Sequence, residues 1–182
     1  MTELRPDVTL ATLSLEHAER MLEWVREPSV ARNIGLRSEP SFERTVEWIE
    51  KSKSSDDVFA FAILVGGAHV GNVILDRVDR LVSSARFSIY IGDSEKRGSG
   101  IGRTATVRVC QFGFDKLSLN KIWLTVHARN FRGINSYTKA GFRLEGIMRD
   151  EFLLGDERLD ALYMGLLKRE FEMPEVRTEN AI

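Results

Sequence analysis

The chain has one cysteine, three histidines and no long apolar run, and each scarcity removes a class of protein. Cys110 alone cannot close an internal disulfide. It lies in an apolar helical pattern where a thiol is buried and inert, so neither a disulfide scaffold nor a cysteine nucleophile is expected. The histidines and the cysteine fall at no metal-ligand spacing, and no metal is expected. No stretch approaches the roughly 20 apolar residues of a bilayer span and the N-terminus has no apolar signal core, so a cytoplasmic chain is expected. Charge of one sign is lacking too. Lys and Arg number 26 against 27 Asp and Glu, a net charge of −1, which gives no global attraction to nucleic acid or to an anionic membrane.

What is present is enough apolar matter for one core: 43% of 182 residues. The chain reads as a single domain over 1–182, with its core over about 7–170 and a frayed tail over 171–182. Residues 8–13 alternate as a first strand. Ser14 then caps a helix whose Leu15, Ala18, Leu22 and Val25 share one face and which stops before Pro28. Pro40 and Ser41 open a second helix through Phe42, Val46 and Ile49, followed by a polar loop over 51–57. Two apolar runs, 58–65 and 69–75, meet at Gly66-Gly67, a pair that accepts the positive φ of a tight hairpin. A strand over 85–92, a glycine-rich turn, a helix over 104–117, a strand from Ile122, a short helix over 134–139 and two final strands complete the order. That order gives a mostly antiparallel α+β sheet with helices on its faces.

The turn Arg97-Gly98-Ser99-Gly100-Ile101-Gly102 leads from a strand into a helix. Backbone N–H groups and the positive helix end converge there, and glycines let an anion come close to the backbone. Alone the pattern is weak, since average composition yields it in roughly one unrelated chain in five of this length. A structural glycine turn is the plain alternative. The dinucleotide fingerprint fails at Arg103, with no acidic residue about 20 positions on for a ribose, and the Gly-Lys-[Ser/Thr] ending of a triphosphate loop is missing.

A second constellation follows a strand: Asn130-x3-Ile134-x2-Tyr137-x3-Gly141-Phe142. Together with Arg97-x-x-Gly100-x-Gly102 it resembles the GNAT acetyltransferase family in order and spacing, over 24–167. Glu145-Gly146-x2-Arg149 with Gly155 and Asp160 is similar to the ribosomal-protein and spermidine acetyltransferase branch. The resemblance implies an α/β sandwich of GNAT type, a mixed and mostly antiparallel sheet of about seven strands with helices on both faces. It implies acetyl-CoA as donor. The backbone of Arg97, Gly98, Ser99, Gly100, Ile101, Gly102, Arg103 and Thr104 would hold the pyrophosphate, Ile89, Tyr90 and Ile91 would pair with pantetheine, and Asn130 and Arg132 would contact the cofactor arm. Tyr137 would stand by the thioester sulfur as general acid; a helix tyrosine packed on the sheet is the alternative.

An alkyl amine is mostly protonated at neutral pH, so a base or a water leading to one is needed. The family often has a glutamate in the strand before the glycine loop, where this chain has Ala85-Arg86-Phe87. Glu151 matches a carboxylate position of the ribosomal-protein-modifying branch, with a solvated surface charge as the alternative. His127, at a strand end, is the other candidate, against a histidine satisfied by neighbouring backbone.

The acceptor is expected between the first helices and the last hairpin, with Trp24, Arg26 and Glu151 as substrate-binding candidates. Trp24, Arg26, Arg32 and Arg37 suit an anionic or sugar-nucleotide amine; Glu43, Glu47, Glu151, Asp156 and Glu157 suit a polyamine. Trp24-x-Arg26-x-Pro28 resembles relatives that acetylate protein N-termini, polyamines or amino sugars and does not choose among them. A primary-amine acetyltransferase is the expectation, with a non-catalytic acyl-CoA-binding sensor as the rival and a nucleotide-binding regulator less favoured. Relatives are often homodimers through their C-terminal strands.

Overall fold

The computed structural model describes residues 4, 5, 7–34, 39–154 and 156–173, with the side chain of Arg32 excepted. Arg37, Gly155, that side chain and the tail from 174 therefore lie outside the described residues. Seven strands form one sheet in the order β1-β2-β3-β4-β5-β7-β6. They are β1 (Val8–Thr12), β2 (Phe59–Val65), β3 (Ala68–Asp79), β4 (Ser84–Ile91), β5 (Lys121–His127), β6 (Arg143–Leu154) and β7 (Glu157–Leu167). All neighbours are antiparallel except β4 and β5, as the expected GNAT-type α+β sandwich requires.

Strand alternation divides the helices between two faces. Ile63 of β2, Val73 and Leu75 of β3, Phe87 of β4 and Ile122, Leu124 and Val126 of β5 share a core with helix α4 (Ile101–Lys116), and Ile134 and Tyr137 of α5 (Phe131–Lys139) pack against it. On the other face Ala60 and Ala62 meet Ala18 and Met21 of α1 (Ala18–Arg26) and Ile49 of α3 (Phe42–Lys53). A bulge breaks the alternation in β3. Ile63 opposes Gly71 while Leu64 opposes His69, leaving Val70 as the extra residue. The bulge sends Val70 into the α4 core and brings the His69 ring against His17 and Trp24 beside α1.

Local chemistry explains most element ends. Ser14 and His17 form a reciprocal box, the Ser14 N–H donating to His17 Nδ1 at 3.1 Å. Ser41 Oγ accepts from the Arg44 N–H at 3.3 Å. Gly66 and Gly67 sit at φ 56° and 84° in the β2–β3 turn.

Several boundaries differ from expectation. The helix read as stopping before Pro28 does stop, but a further helix, α2 (Pro28–Asn33), starts on that proline, whose fixed φ suits a first helical position. Helix α3 runs through Lys53 into the stretch expected as loop, α4 begins at Ile101 ahead of Thr104, and α5 begins at Phe131. Leu15, assigned to the buried face of the first helix, is 47% exposed, because it lies in the 3-10 turn that precedes α1.

Candidate active site

The sheet opens in its middle. Strands β4 and β5 stay in register over three pairs only, Ser84 with Lys121, Ala85 with Ile122 and Arg86 with Trp123. Beyond Arg86, the inner edge of β4 has no strand partner, although β3 pairs with its other edge as far as Ile91. Tyr90 and Ile89 thus lie on a strand whose backbone faces a wedge. Across it lies the last part of β5, held on its far side by β7.

The glycine turn closes one end of this wedge. Gly98 and Gly100 adopt φ 80° and 87°, conformations that L side chains rarely reach. Gly100 is the N-cap of α4 and has no side chain to accept from the first turn, so those N–H groups remain for an anion. Gly102 has only Ile91 Cγ1 at 3.9 Å and Ser136 Oγ at 4.0 Å within reach of an added Cβ. A strand edge open to an extended amide chain and an uncapped helix end fit the pantetheine and pyrophosphate of coenzyme A.

The side chains of the turn do other work. Arg97 turns back onto the strand it follows, Nε donating to the Ile91 carbonyl at 2.8 Å and one terminal nitrogen to the Gly92 carbonyl at 2.9 Å. Its guanidinium also reaches Ser29 Oγ at 3.4 Å and the Glu27 carboxylate at 3.5 Å. Ser99 Oγ donates to the Lys96 carbonyl, Thr104 Oγ1 is buried and accepts from the Arg5 N–H, and Arg103 Nε donates to the Lys139 carbonyl. Ile101 is buried. The segment therefore offers an anion its backbone.

Helix α5 lies beside the wedge. Asn130 caps it, Oδ1 accepting from the Gly133 N–H at 2.9 Å, while Arg132 is exposed. Tyr137 stands edge-on to Phe87 of β4, ring centres 5.8 Å apart, and also meets Phe142. Burial pushes its phenol up to about 12, so it is a protonated donor at neutral pH.

The two candidate bases differ in surroundings. His127 ends β5, 5% exposed, its ring 5.1 Å from Phe152 of β6 and Nε2 3.0 Å from Asn33 Oδ1 of α2. One ring nitrogen is thus held by a side chain, where the alternative to a catalytic role had backbone satisfying the ring. Nδ1 is buried and unpartnered. Burial, then Arg129, hold its ionisation below the usual histidine value. Glu151 precedes Phe152 on β6 and is exposed. It lies in the stretch between Met148 and Phe152 where the β6–β7 register shifts, next to Asp150 at φ 53°.

Where the family often places a glutamate, Arg86 makes a two-pronged pair with Asp76 across β3 and β4, at 2.8 and 2.5 Å. Of the acceptor candidates, Trp24 is 4% exposed and wedged between His69 and Tyr90, and Arg26 is exposed. Beside Trp24 the sequence reading missed His69 and Asn72: both ring nitrogens of the one and both side-chain heteroatoms of the other are buried without a hydrogen-bond partner, as is the hydroxyl of Tyr90, expected only as part of the cofactor strand. Asn33 was missed as well, because Pro28 read as a stop. Proline followed by a short polar-apolar run was the available signal. Among the described residues no group of His, Cys, Asp and Glu is placed to hold a metal, and no helix is long and apolar enough to cross a membrane.

The structure thus has a wedge between two parallel strands, with a glycine-lined helix end at one side of it. The acetyltransferase (GNAT) domain model matches residues 7–143, and the chain belongs to that family. It is 29% identical to the spermidine N(1)-acetyltransferase of Escherichia coli (strain K12) over 61% of this chain, spanning 59% of the length of that relative. It is 26% identical to the putative ribosomal N-acetyltransferase YdaF of Bacillus subtilis (strain 168), over 90% of this chain and 86% of that one. The crystal structure of spermidine N-acetyltransferase from Vibrio cholerae in complex with CoA and spermine has the same fold, with TM-score 0.85 at 24% identity over 90% of this chain and 97% of that one.

Proposed function

We propose that the protein is an acetyl-CoA-dependent N-acetyltransferase acting on a primary amine by direct attack in a ternary complex. The observation that supports this reading is the β4 edge left unpaired beyond Arg86, with the uncapped α4 end following that strand and the Tyr137 ring against its Phe87. Acetyl-CoA supplies an acetyl group activated as a thioester. The backbone of 97–104 holds its pyrophosphate, the free edge at Ile89, Tyr90 and Ile91 pairs with its amide arm, and the Asn130 and Arg132 end of α5 flanks that arm.

Tyr137 donates a hydrogen bond to the departing sulfur. With its ionisation pushed up to about 12, the phenol is a weaker acid than the thiol that forms, so hydrogen bonding at sulfur dominates over full proton transfer. His127 takes the proton of the acceptor ammonium. Its uncommitted Nδ1 supports that role. The acceptor enters from the side of α1 and α2, where Trp24, Arg26 and the Glu151 hairpin shape the approach. Polyamines are the first acceptors to test, given the relatives above, followed by protein N-termini and amino sugars.

A thiol-release assay over that amine panel, run beside calorimetric acetyl-CoA binding, tests the proposal. Turnover on one class that falls at least about 100-fold in Tyr137→Phe, with binding kept, is the expected result. Arg86 standing in the family's glutamate position and already paired with Asp76 favours a second reading, an acyl-CoA-binding sensor. That reading predicts tight binding with no turnover on any amine. Failure to bind coenzyme A sinks both.

A further inference from the structure

Asn33 sits on the short helix that the sequence hides, and its hydrogen bonds fix more than its own position. Its Nδ2 donates to the Ser29 carbonyl at 2.7 Å. A carbonyl only accepts, so the amino end of the amide must face Ser29 and the oxygen must face His127, 3.0 Å from Nε2. That oxygen in turn only accepts, so Nε2 must carry the hydrogen. A neutral imidazole has one N–H, and the lone pair is therefore on Nδ1, the nitrogen that is buried and unpartnered.

We propose that Asn33 is a positioning residue, whose side-chain carbonyl holds the His127 ring with its proton on Nε2 and its lone pair on Nδ1, ready to accept the proton of the acceptor amine. The inference rests on His127 acting as the base. In that step one N–H bond of the acceptor ammonium breaks and one N–H bond forms at Nδ1, giving a neutral amine and an imidazolium whose Nε2–H stays bonded to Asn33. The ring keeps its orientation throughout, since Phe152 packs against it.

The same short helix is anchored to the cofactor turn. Arg97 reaches Ser29 Oγ at 3.4 Å and Glu27 at 3.5 Å, and Ser29 offers the carbonyl that orients Asn33. One chain of contacts thus runs from the turn that would hold the pyrophosphate to the tautomer of the base. The groups that face the ring are Asn33 from α2, Phe152 from β6 and, as the charged group bearing on it, Arg129, itself paired with Glu157 of β7.

The test reads the tautomer directly, by long-range 1H–15N correlation spectra of the 15N-labelled full chain at neutral pH, with His127→Gln identifying the His127 signals. The expected wild-type pattern is a protonated Nε2 and a bare Nδ1. Asn33→Ala should mix the two tautomers and lower kcat about tenfold with the KM for acetyl-CoA unchanged. Asn33→Asp, which still accepts from Nε2–H but adds a negative charge, should move the acid limb of kcat/KM upward by about one pH unit. A proton on Nδ1 in the wild type, or a tautomer unmoved by Asn33→Ala, overturns the proposal. A spectrum that responds as expected while turnover stays unchanged in both His127→Gln and Asn33→Ala instead removes His127 as the base and leaves the tautomer assignment standing.

Discussion

Replacing Gly92 by alanine probes the junction between the end of β4 and helix α1. A Cβ at that position would lie 1.9 Å from Cδ2, 2.2 Å from Cγ and 2.4 Å from Cε2 of Trp24. Ordinary carbon contact is about 3.5–4.0 Å, so the overlap is on the order of 1.5 Å and falls on a rigid ring system. The indole cannot swing aside freely, with His69 and Tyr90 at its edges and Arg20 over its face at 5.5 Å. Nor can the backbone retreat, because the Gly92 N–H donates to the Val70 carbonyl at 3.0 Å and its own carbonyl accepts from Arg97. Overpacking of this kind costs typically about 1–3 kcal/mol, and the closeness here puts Gly92→Ala at the upper end, about 3 kcal/mol. Urea unfolding of the wild type, Gly92→Ala, Trp24→Leu and the double variant measures it. Trp24→Leu costs about 3 kcal/mol by itself but empties the space, so Gly92→Ala in that background should cost less than about 1 kcal/mol. An equal cost of Gly92→Ala in both backgrounds would refute the steric argument.

Other expectations are simpler. Asn130→Ala removes the acceptor of the Gly133 N–H and should lower stability by about 1 kcal/mol in thermal unfolding. Gly100→Ala forces a Cβ into φ 87°, costing about 1–2 kcal/mol, and calorimetry should show weaker coenzyme A binding with acceptor KM unchanged. Burial and the neighbouring His17 lower His69 from 6.5 to about 4. Between those values the unfolded state holds the extra proton, so stability is full above about pH 6.5 and falls as pH drops toward 4, by on the order of 1–2 kcal/mol after solvent screening. His69→Phe should flatten that acid decline.

The hairpin at Gly66-Gly67, the glycine turn and the Asn130 to Phe142 stretch were legible because each rests on local backbone chemistry. The apolar run over 58–65 placed β2, which spans Phe59–Val65, to within one residue. What stayed hidden depended on partners distant in sequence. Pro28 ends one helix and starts another, and the six-residue run it opens is too short to show a helical period. His69 reaches Trp24 only because Val70 is a bulge, set by pairing with β2. The Arg86–Asp76 pair needs the β3–β4 register, and the bond from His127 to Asn33 joins residues 94 positions apart. Spacing alone could not say that His127 is buried and Glu151 exposed.

The three registered pairs between β4 and β5 make the sheet a stitched object, two half-sheets sewn together at one end. Such a seam places unpaired backbone in the interior, where most proteins keep it only at their rims. A ligand with an extended amide chain would then behave as a missing strand, and its binding free energy would count toward folding in proportion to the logarithm of its concentration. The unliganded chain should accordingly show its fastest amide exchange, away from the termini, on both lips of the seam.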